Sequence, residues 1–273
     1  MIGAIIGDII GSPYEGSHLN WVDDRNFPLF ANQWSRFTDD TVLTCATADA
    51  LLHKNPFHKK YIQWNQKYPD RGYGSGFQSW VDTGGKTPNP SYANGCMMRC
   101  SPIPLFYNDS TVEMDKAAIN SIKMTHKSTE SQRGVLSIVT AIYMALNGYN
   151  KTQIKAIVEE EYGHMLDLSV EEWRAHPKPS IRCNLSAPQA LVCFMESDSY
   201  ESAVRNAVYT KGDTDTIAAI AGSIAEAFYG VKSIPQEMID GAKERMTPEM
   251  IDLVNEFYSV IGEYQENYKG FQI

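Results

Sequence analysis

Two short acidic runs hold the residues best suited to chemistry in this 273-residue chain: Phe37-Thr38-Asp39-Asp40-Thr41 near its start and Lys211-Gly212-Asp213-Thr214-Asp215-Thr216 near its end. Each places two carboxylates beside hydroxyls, and each is followed at once by a helical pattern. A cluster of Asp39, Asp40, Asp213 and Asp215 needs cations. Hard oxygen donors of this kind suit Mg²⁺, Mn²⁺ or Ca²⁺, whereas zinc prefers nitrogen and sulfur. Helices opening just after Asp40 and Asp215 would point their amide ends at the carboxylates and keep them ionised. Adjacent aspartates splay, so one can bind a first ion while its neighbour reaches a second. In Asp213-x-Asp215-Thr216 the alternate spacing lets two carboxylates converge, and the threonine adds a neutral ligand. Taken singly, Asp40 and Asp215 read as helix N-caps on a solvated acidic patch. Two such clusters, each opening a buried-looking helix, favour a metal site. An EF-hand is excluded, because Ile217 stands where that loop needs Asp or Asn and no Glu falls at the twelfth place.

A two-metal oxygen site can orient vicinal hydroxyls, polarise a leaving group and activate water. Glu15 lies in the turn Gly11-Ser12-Pro13-Tyr14-Glu15-Gly16, and a loop carboxylate able to swing over such a site fits a general acid or base.

Positioning these groups requires helices. Val135, Ile138, Val139, Ile142, Tyr143 and Leu146 share one face and stop at Gly148; Ile217, Ile220, Ala221, Ile224, Ala225 and Phe228 do the same and stop at Gly230. Thr247 and Pro248 open a final helix with Ile251, Val254, Tyr258 and Ile261 as its stripe. Further helices are predicted over Thr41 to His53, Met114 to Met124, Lys151 to Glu161, Ala187 to Met195 and Tyr200 to Tyr209. No period-2 segment stands out, and Tyr68 to Pro104, rich in Gly, Pro, Asn and aromatics, reads as one long functional loop. The expectation is a single all-α domain over residues 1–273 whose first and last quarters meet.

Composition narrows the function classes. With 43% hydrophobic and 21% charged residues the chain has an ordinary globular composition, and a net charge of −9 argues against a sequence-independent nucleic-acid binder. Cys45, Cys96, Cys100, Cys183 and Cys193 lack zinc-knuckle spacing and read as free thiols in a reducing cytoplasm. The apolar start, Met1 to Gly11, carries Asp8 and no basic flank, so it reads as neither signal peptide nor membrane span.

Gly-Asp followed by Gly-Ser-Pro-Tyr-Glu15, then Thr38-Asp-Asp-Thr41, then Gly212-Asp-Thr-Asp-Thr216, in that order, resembles the ADP-ribosylglycohydrolase family over most of the chain. The resemblance implies an all-α fold with two Mg²⁺ or Mn²⁺ ions in a cleft, held by Thr38, Asp39, Asp40, Asp213, Asp215 and Thr216. Glu15 matches the family's mobile glutamate. The segment Ser91-Tyr92-Ala93-Asn94-Gly95-Cys96-Met97-Met98-Arg99 is similar to the loop that passes under the diphosphate and distal ribose, although Cys96 and the bulky Met97 depart from its usual form. Gly74 belongs to a second matching loop, and His126 matches the pocket histidine. The implied activity is hydrolysis at C1″ of the distal ribose of an ADP-ribosylated protein, nucleic-acid base or small conjugate, by a cytoplasmic monomer with no membrane partner. Glu15 or a metal-bound carboxylate, Asp39 or Asp215, would handle the proton. Two alternatives remain open: a metal-dependent phosphohydrolase, although Ile217 follows an Asp-x-Asp-x run that misses its pattern by one place, and a catalytically silent ADP-ribose-binding protein.

Overall fold

The structure, a computed structural model, describes residues 1–16, 21–176 and 180–273. Helices follow one another as α1 (Ile2–Gly11), α2 (Asp39–Leu52), α3 (Phe57–Lys67), α4 (Ser75–Asp82), α5 (Pro102–Phe106), α6 (Thr111–Ile122) and α7 (Thr129–Leu146). The second half of the chain adds α8 (Lys151–Tyr162), α9 (Val170–Ala175), α10 (Cys183–Met195), α11 (Tyr200–Tyr209), α12 (Thr214–Tyr229), α13 (Gln236–Lys243) and α14 (Pro248–Gly262). Among the described residues there is no β-strand, only isolated pairings of Pro90 with His126 and of Ala93 with Arg182. The all-α expectation holds. No helix among the described residues is long and apolar enough to cross a membrane.

The apolar start is a fully buried helix. Every residue of α1 is buried, including Ile2, Ile5, Ile6, Ile9 and Ile10, and each such side chain contributes roughly 1.5–3 kcal/mol by leaving water. Two of its first amides are satisfied within the core, Ile2 N–H donating to Tyr258 Oη (2.8 Å) and Gly3 N–H to Glu226 Oε2 (2.7 Å). Packing of α1 on α12 is unusually close. A Cβ on Gly7 would lie 2.2 Å from the Ala218 carbonyl oxygen, and one on Gly11 2.5 Å from that of Thr214. Glycine at these positions lets two backbones touch, and the Thr214 hydroxyl bonds the Gly11 carbonyl across the contact (2.9 Å). The start and end of the chain are thereby joined.

Several predicted boundaries move. Helix α2 opens at Asp39 and α12 at Thr214, so Asp39, Asp40 and Asp215 lie inside first turns and do not cap them. Thr38 is the cap of α2, its hydroxyl accepting from Asp40 N–H (3.3 Å). Asp213 stands at the cap position of α12 without a side-chain cap bond. Helix α6 starts earlier than predicted because Ser110 caps it, accepting from Glu113 N–H. Helix α10 starts at Cys183, ahead of the predicted Ala187, with Pro188 inside it. The predicted loop from Tyr68 to Pro104 is a correction: it contains α4, whose Phe77, Trp80 and Val81 are buried on one face, a 3₁₀ turn over Asn94–Cys96, and the opening of α5.

Candidate metal centre and its loops

Carboxylates from both ends of the chain converge where α1, α2 and α12 meet. Asp8, Asp40 and Asp215 are all buried and offer oxygens within 4.8 Å of one another; Glu15, Asp213 and Asp215 form a second such group. Asp8 is the residue that reading the sequence did not place in the site. One of its oxygens accepts from the Thr38 hydroxyl (2.7 Å), the other from Thr38 N–H (2.9 Å), Thr41 N–H (3.0 Å) and the Thr41 hydroxyl (2.5 Å). It clamps the opening of α2 to α1. Asp40 Oδ2 accepts from the Thr216 hydroxyl of α12 (3.2 Å), whereas its Oδ1 is buried with no hydrogen-bond partner among the described residues. Thr216 N–H donates to Asp215 Oδ1 (2.8 Å). Asp39 is partly exposed; its N–H donates to the Arg71 carbonyl (2.8 Å), and Gly72, on the approach to Gly74 at the start of α4, passes beside its carboxylate.

The Asn94 loop supports this cluster from below. Asn94 is buried, and its amide donates to Asp213 Oδ2 (2.5 Å) and to the Ser186 hydroxyl (3.1 Å). Its side chain therefore holds a carboxylate, while Tyr92 of the same loop is exposed. Arg182 lies 4.5 Å over one face of the Tyr92 ring. The Ser91 carbonyl accepts from the hydroxyls of Ser128 and Ser131 (2.9 Å each), which fixes the loop to the opening of α7. Bulky Met97 is accommodated where Gly134 lacks a side chain: a Cβ there would lie 2.9 Å from the sulfur. His126 is buried, with its ring edge against Gly95.

Electrostatics make the cluster cation-demanding. Burial, followed by the charges of Asp8 and Asp213, pushes Asp39 up to about 8, and burial, opposed by its hydroxyl and amide donors, pushes Asp8 up to about 6. Asp40 is raised well above the usual carboxylate range by burial and then by Asp8, Asp39 and Asp213; Asp215 is raised likewise by burial and then by Asp213 and Asp40. Asp213 is raised by burial, against the Asn94 hydrogen bond. At the rim, exposed Glu15 is raised by the loss of water on its inner side and then by Asp213 and Asp8, while Arg36 pulls it down. Among the described residues no lysine or arginine forms an ion pair with Asp8, Asp39, Asp40, Asp213 or Asp215. A partnerless buried carboxylate oxygen amid all-oxygen donors fits a hard divalent cation.

This arrangement has a pH signature. A carboxyl whose folded pKa exceeds its unfolded value binds more protons in the folded state, so stability falls as pH rises through the interval between the two. For Asp39 that interval runs from about pH 4 to about pH 8. The melting temperature of chelator-treated protein is expected to fall across it, and added Mg²⁺ to restore stability increasingly toward the alkaline end. Thermal melts by circular dichroism over a pH series, with EDTA or Mg²⁺, measure this; identical curves with and without the ion would refute it.

Comparison with known proteins returns the same family for nearly the whole chain. The chain belongs to the ADP-ribosylglycohydrolase family, a family of hydrolases whose profile matches residues 1–267. Among similar proteins is mouse ADP-ribosylhydrolase ARH3, 27% identical over an alignment covering 89% of this chain and 87% of that protein. Another is ADP-ribosylarginine hydrolase Tri1 from Pseudomonas putida (strain GB-1), 25% identical, covering 88% and 72% respectively. A solved structure titled ADP-ribosylglycohydrolase-related protein complex shares the fold with a TM-score of 0.73 at 22% identity, covering 95% of both chains.

Proposed function

We propose that residues 1–273 act as one domain, a divalent-cation-dependent hydrolase that frees ADP-ribose from an ADP-ribosylated target by cleaving the bond at C1″ of the distal ribose. The observation that carries this reading is the buried set of carboxylates from opposite ends of the chain, with an oxygen of Asp40 left without a partner among the described residues. Thr38, Asp39, Asp40, Asp213, Asp215 and Thr216 would hold the ions. When bound, a pair of Mg²⁺ or Mn²⁺ ions supplies Lewis acidity and neutralises the carboxylates.

The chain's own groups supply the rest. Glu15, raised in pKa and at the rim beside Asp213 and Asp215, is suited to accept a proton from an attacking water or to return it to the leaving group. Asp39 and Asp215 are the other carboxylates available for that transfer. Gly74, Ser91, Tyr92 and Gly95 form the loop wall along which a diphosphate and its sugars would lie, with backbone N–H groups able to approach phosphate oxygens at the glycines. Tyr92, stacked by Arg182 on one face, has its opposite face left for a ring. His126 closes the wall behind Gly95. The five cysteines are unpaired and buried, which supports a cytoplasmic setting. The names of the relatives support ADP-ribosyl conjugates as the substrate class, with a protein, a base or a small metabolite as acceptor.

A panel of defined ADP-ribosyl conjugates, incubated with Mg²⁺, Mn²⁺ or EDTA and read by mass spectrometry, tests this. Intact ADP-ribose is expected in at least one metal arm and none in EDTA. Inorganic phosphate without intact ADP-ribose would establish a phosphohydrolase instead, and tight ADP-ribose binding with no turnover of any conjugate would establish a reader.

A further inference from the structure

Beneath the Asn94 loop lies a cation that the chemistry above does not use. Arg99 is 1% exposed, making it the largest side chain among those fully buried. Its guanidinium lies 4.2 Å over the Tyr61 ring and forms no ion pair among the described residues. Nε and Nη1 have no hydrogen-bond partner there, and Nη2 donates to a single group, the Thr125 hydroxyl (2.6 Å). A guanidinium can only donate, so Thr125 Oγ1 must accept from it. The Thr125 proton then has two acceptors in reach: the Ile122 carbonyl at 3.4 Å and His126 Nδ1 at 3.0 Å. The shorter path leads to the imidazole, and the adjacent positive charge polarises the hydroxyl into a better donor. Nδ1 then carries a lone pair, which leaves the proton of a neutral ring on Nε2. Burial, followed by the charge of Arg99, lowers the His126 pKa well below its usual value, so the ring is neutral. Nε2 lies 3.4 Å from where a Cβ of Gly95 would stand, facing the loop that the proposed function assigns to the substrate.

We propose that Arg99 and Thr125 are positioning residues that fix His126 as its Nε2–H tautomer, giving the pocket a permanent hydrogen-bond donor for an acceptor oxygen of the ligand beside Gly95. A pocket that binds an anionic, oxygen-rich ligand gains from this arrangement. A histidine free to change tautomer would offer an acceptor part of the time and repel a phosphate or hydroxyl oxygen. The buried guanidinium biases the ring without approaching the ligand. The role given to His126 rests on the proposed function; the tautomer itself does not.

Long-range ¹H–¹⁵N correlation spectra of uniformly labelled, ligand-free protein test the relay, with the His126 signals assigned by their loss in His126→Gln. The expected wild-type result is one neutral form with the proton on Nε2. Thr125→Val keeps the shape and removes the hydroxyl, so it should convert His126 to a tautomer mixture and weaken ADP-ribose binding about fivefold, roughly the effect of mispositioning one hydrogen bond. Thr125→Ser should restore both. A wild-type ring protonated on Nδ1, or a Thr125→Val spectrum unchanged at His126, would overturn the proposal. Wild-type protein with the expected tautomer but no affinity for ADP-ribose would refute the ligand assignment and leave the relay standing.

Discussion

Replacing Asp40 with Asn is expected to make the metal-free protein more stable and the enzyme nearly inert. Asp40 is 2% exposed, faces Asp8, Asp39 and Asp213, and has one oxygen without a partner. An amide is nearly isosteric. Its oxygen can keep the bond from Thr216, and its NH₂ group would occupy the position of the partnerless oxygen within the acidic cluster. One charge leaves a crowded set of acids and a donor takes its place. Relief of roughly 2 kcal/mol of desolvation and like-charge repulsion corresponds to a rise of about 5 °C in melting temperature for a chain of this size. The same change removes an anionic ligand, so the stabilisation given by Mg²⁺ should shrink and turnover fall by about 1000-fold, several kcal/mol of lost charge stabilisation. Melts in EDTA and in Mg²⁺, together with ADP-ribose release by the same variant, check both halves. Asp40→Asn protein that melts no higher than wild type in EDTA and still responds fully to Mg²⁺ would refute the assignment. A site that lowers the stability of its own protein until its cation arrives is a familiar balance between function and stability.

Much of this site was legible because its elements are local. The Thr/Asp runs, the helices they open and the glycine stops at Gly148 and Gly230 are each set by a few neighbouring residues, and Tyr200–Tyr209 matches its predicted helix at both ends. Less legible was anything decided by contacts distant in sequence. Asp8 entered the sequence reading only as a charge within an apolar stretch and as part of the Gly-Asp motif, and its role follows only from the fold of α1 against α2 and α12. A signal was present: glycines at 3, 7 and 11 recur every fourth residue, which puts a smooth face on one side of a helix and marks close approach to another backbone. Helix α3 was not predicted, and α4 was hidden within the Gly-, Pro- and aromatic-rich stretch that read as loop. Asn94 matched a ligand-binding loop, and only the structure shows its amide turned away to Asp213. Side-chain direction within an irregular loop depends on partners that local pattern does not specify.

Gly7→Ala carries the second large effect, and it runs against propensity. Within a helix, Ala is ordinarily more stable than Gly by about 1 kcal/mol. Here the added Cβ would meet Ala218 O at 2.2 Å, Ala218 C at 2.5 Å and Ala219 N at 2.8 Å, all backbone atoms of α12 that no rotamer change can move aside. Helix α1 would have to shift by about an ångström, the kind of overpacking that costs roughly 3 kcal/mol. The expected fall in melting temperature is about 7 °C. Asp8 is the next residue and would move with the helix, loosening its bonds to Thr38 and Thr41 and with them the opening of α2. Gly7→Ala is therefore expected to weaken the Mg²⁺ response as well as the fold, although Gly7 lies outside the ring of charges. Gly74→Ala is the matched control for stability, because nothing lies within 4 Å of its added carbon and its φ of −56° suits any residue. Its melting temperature should stay at the wild-type value. If Gly7→Ala melts with Gly74→Ala, close contact of the first helix with the twelfth is not what joins the two ends of the site.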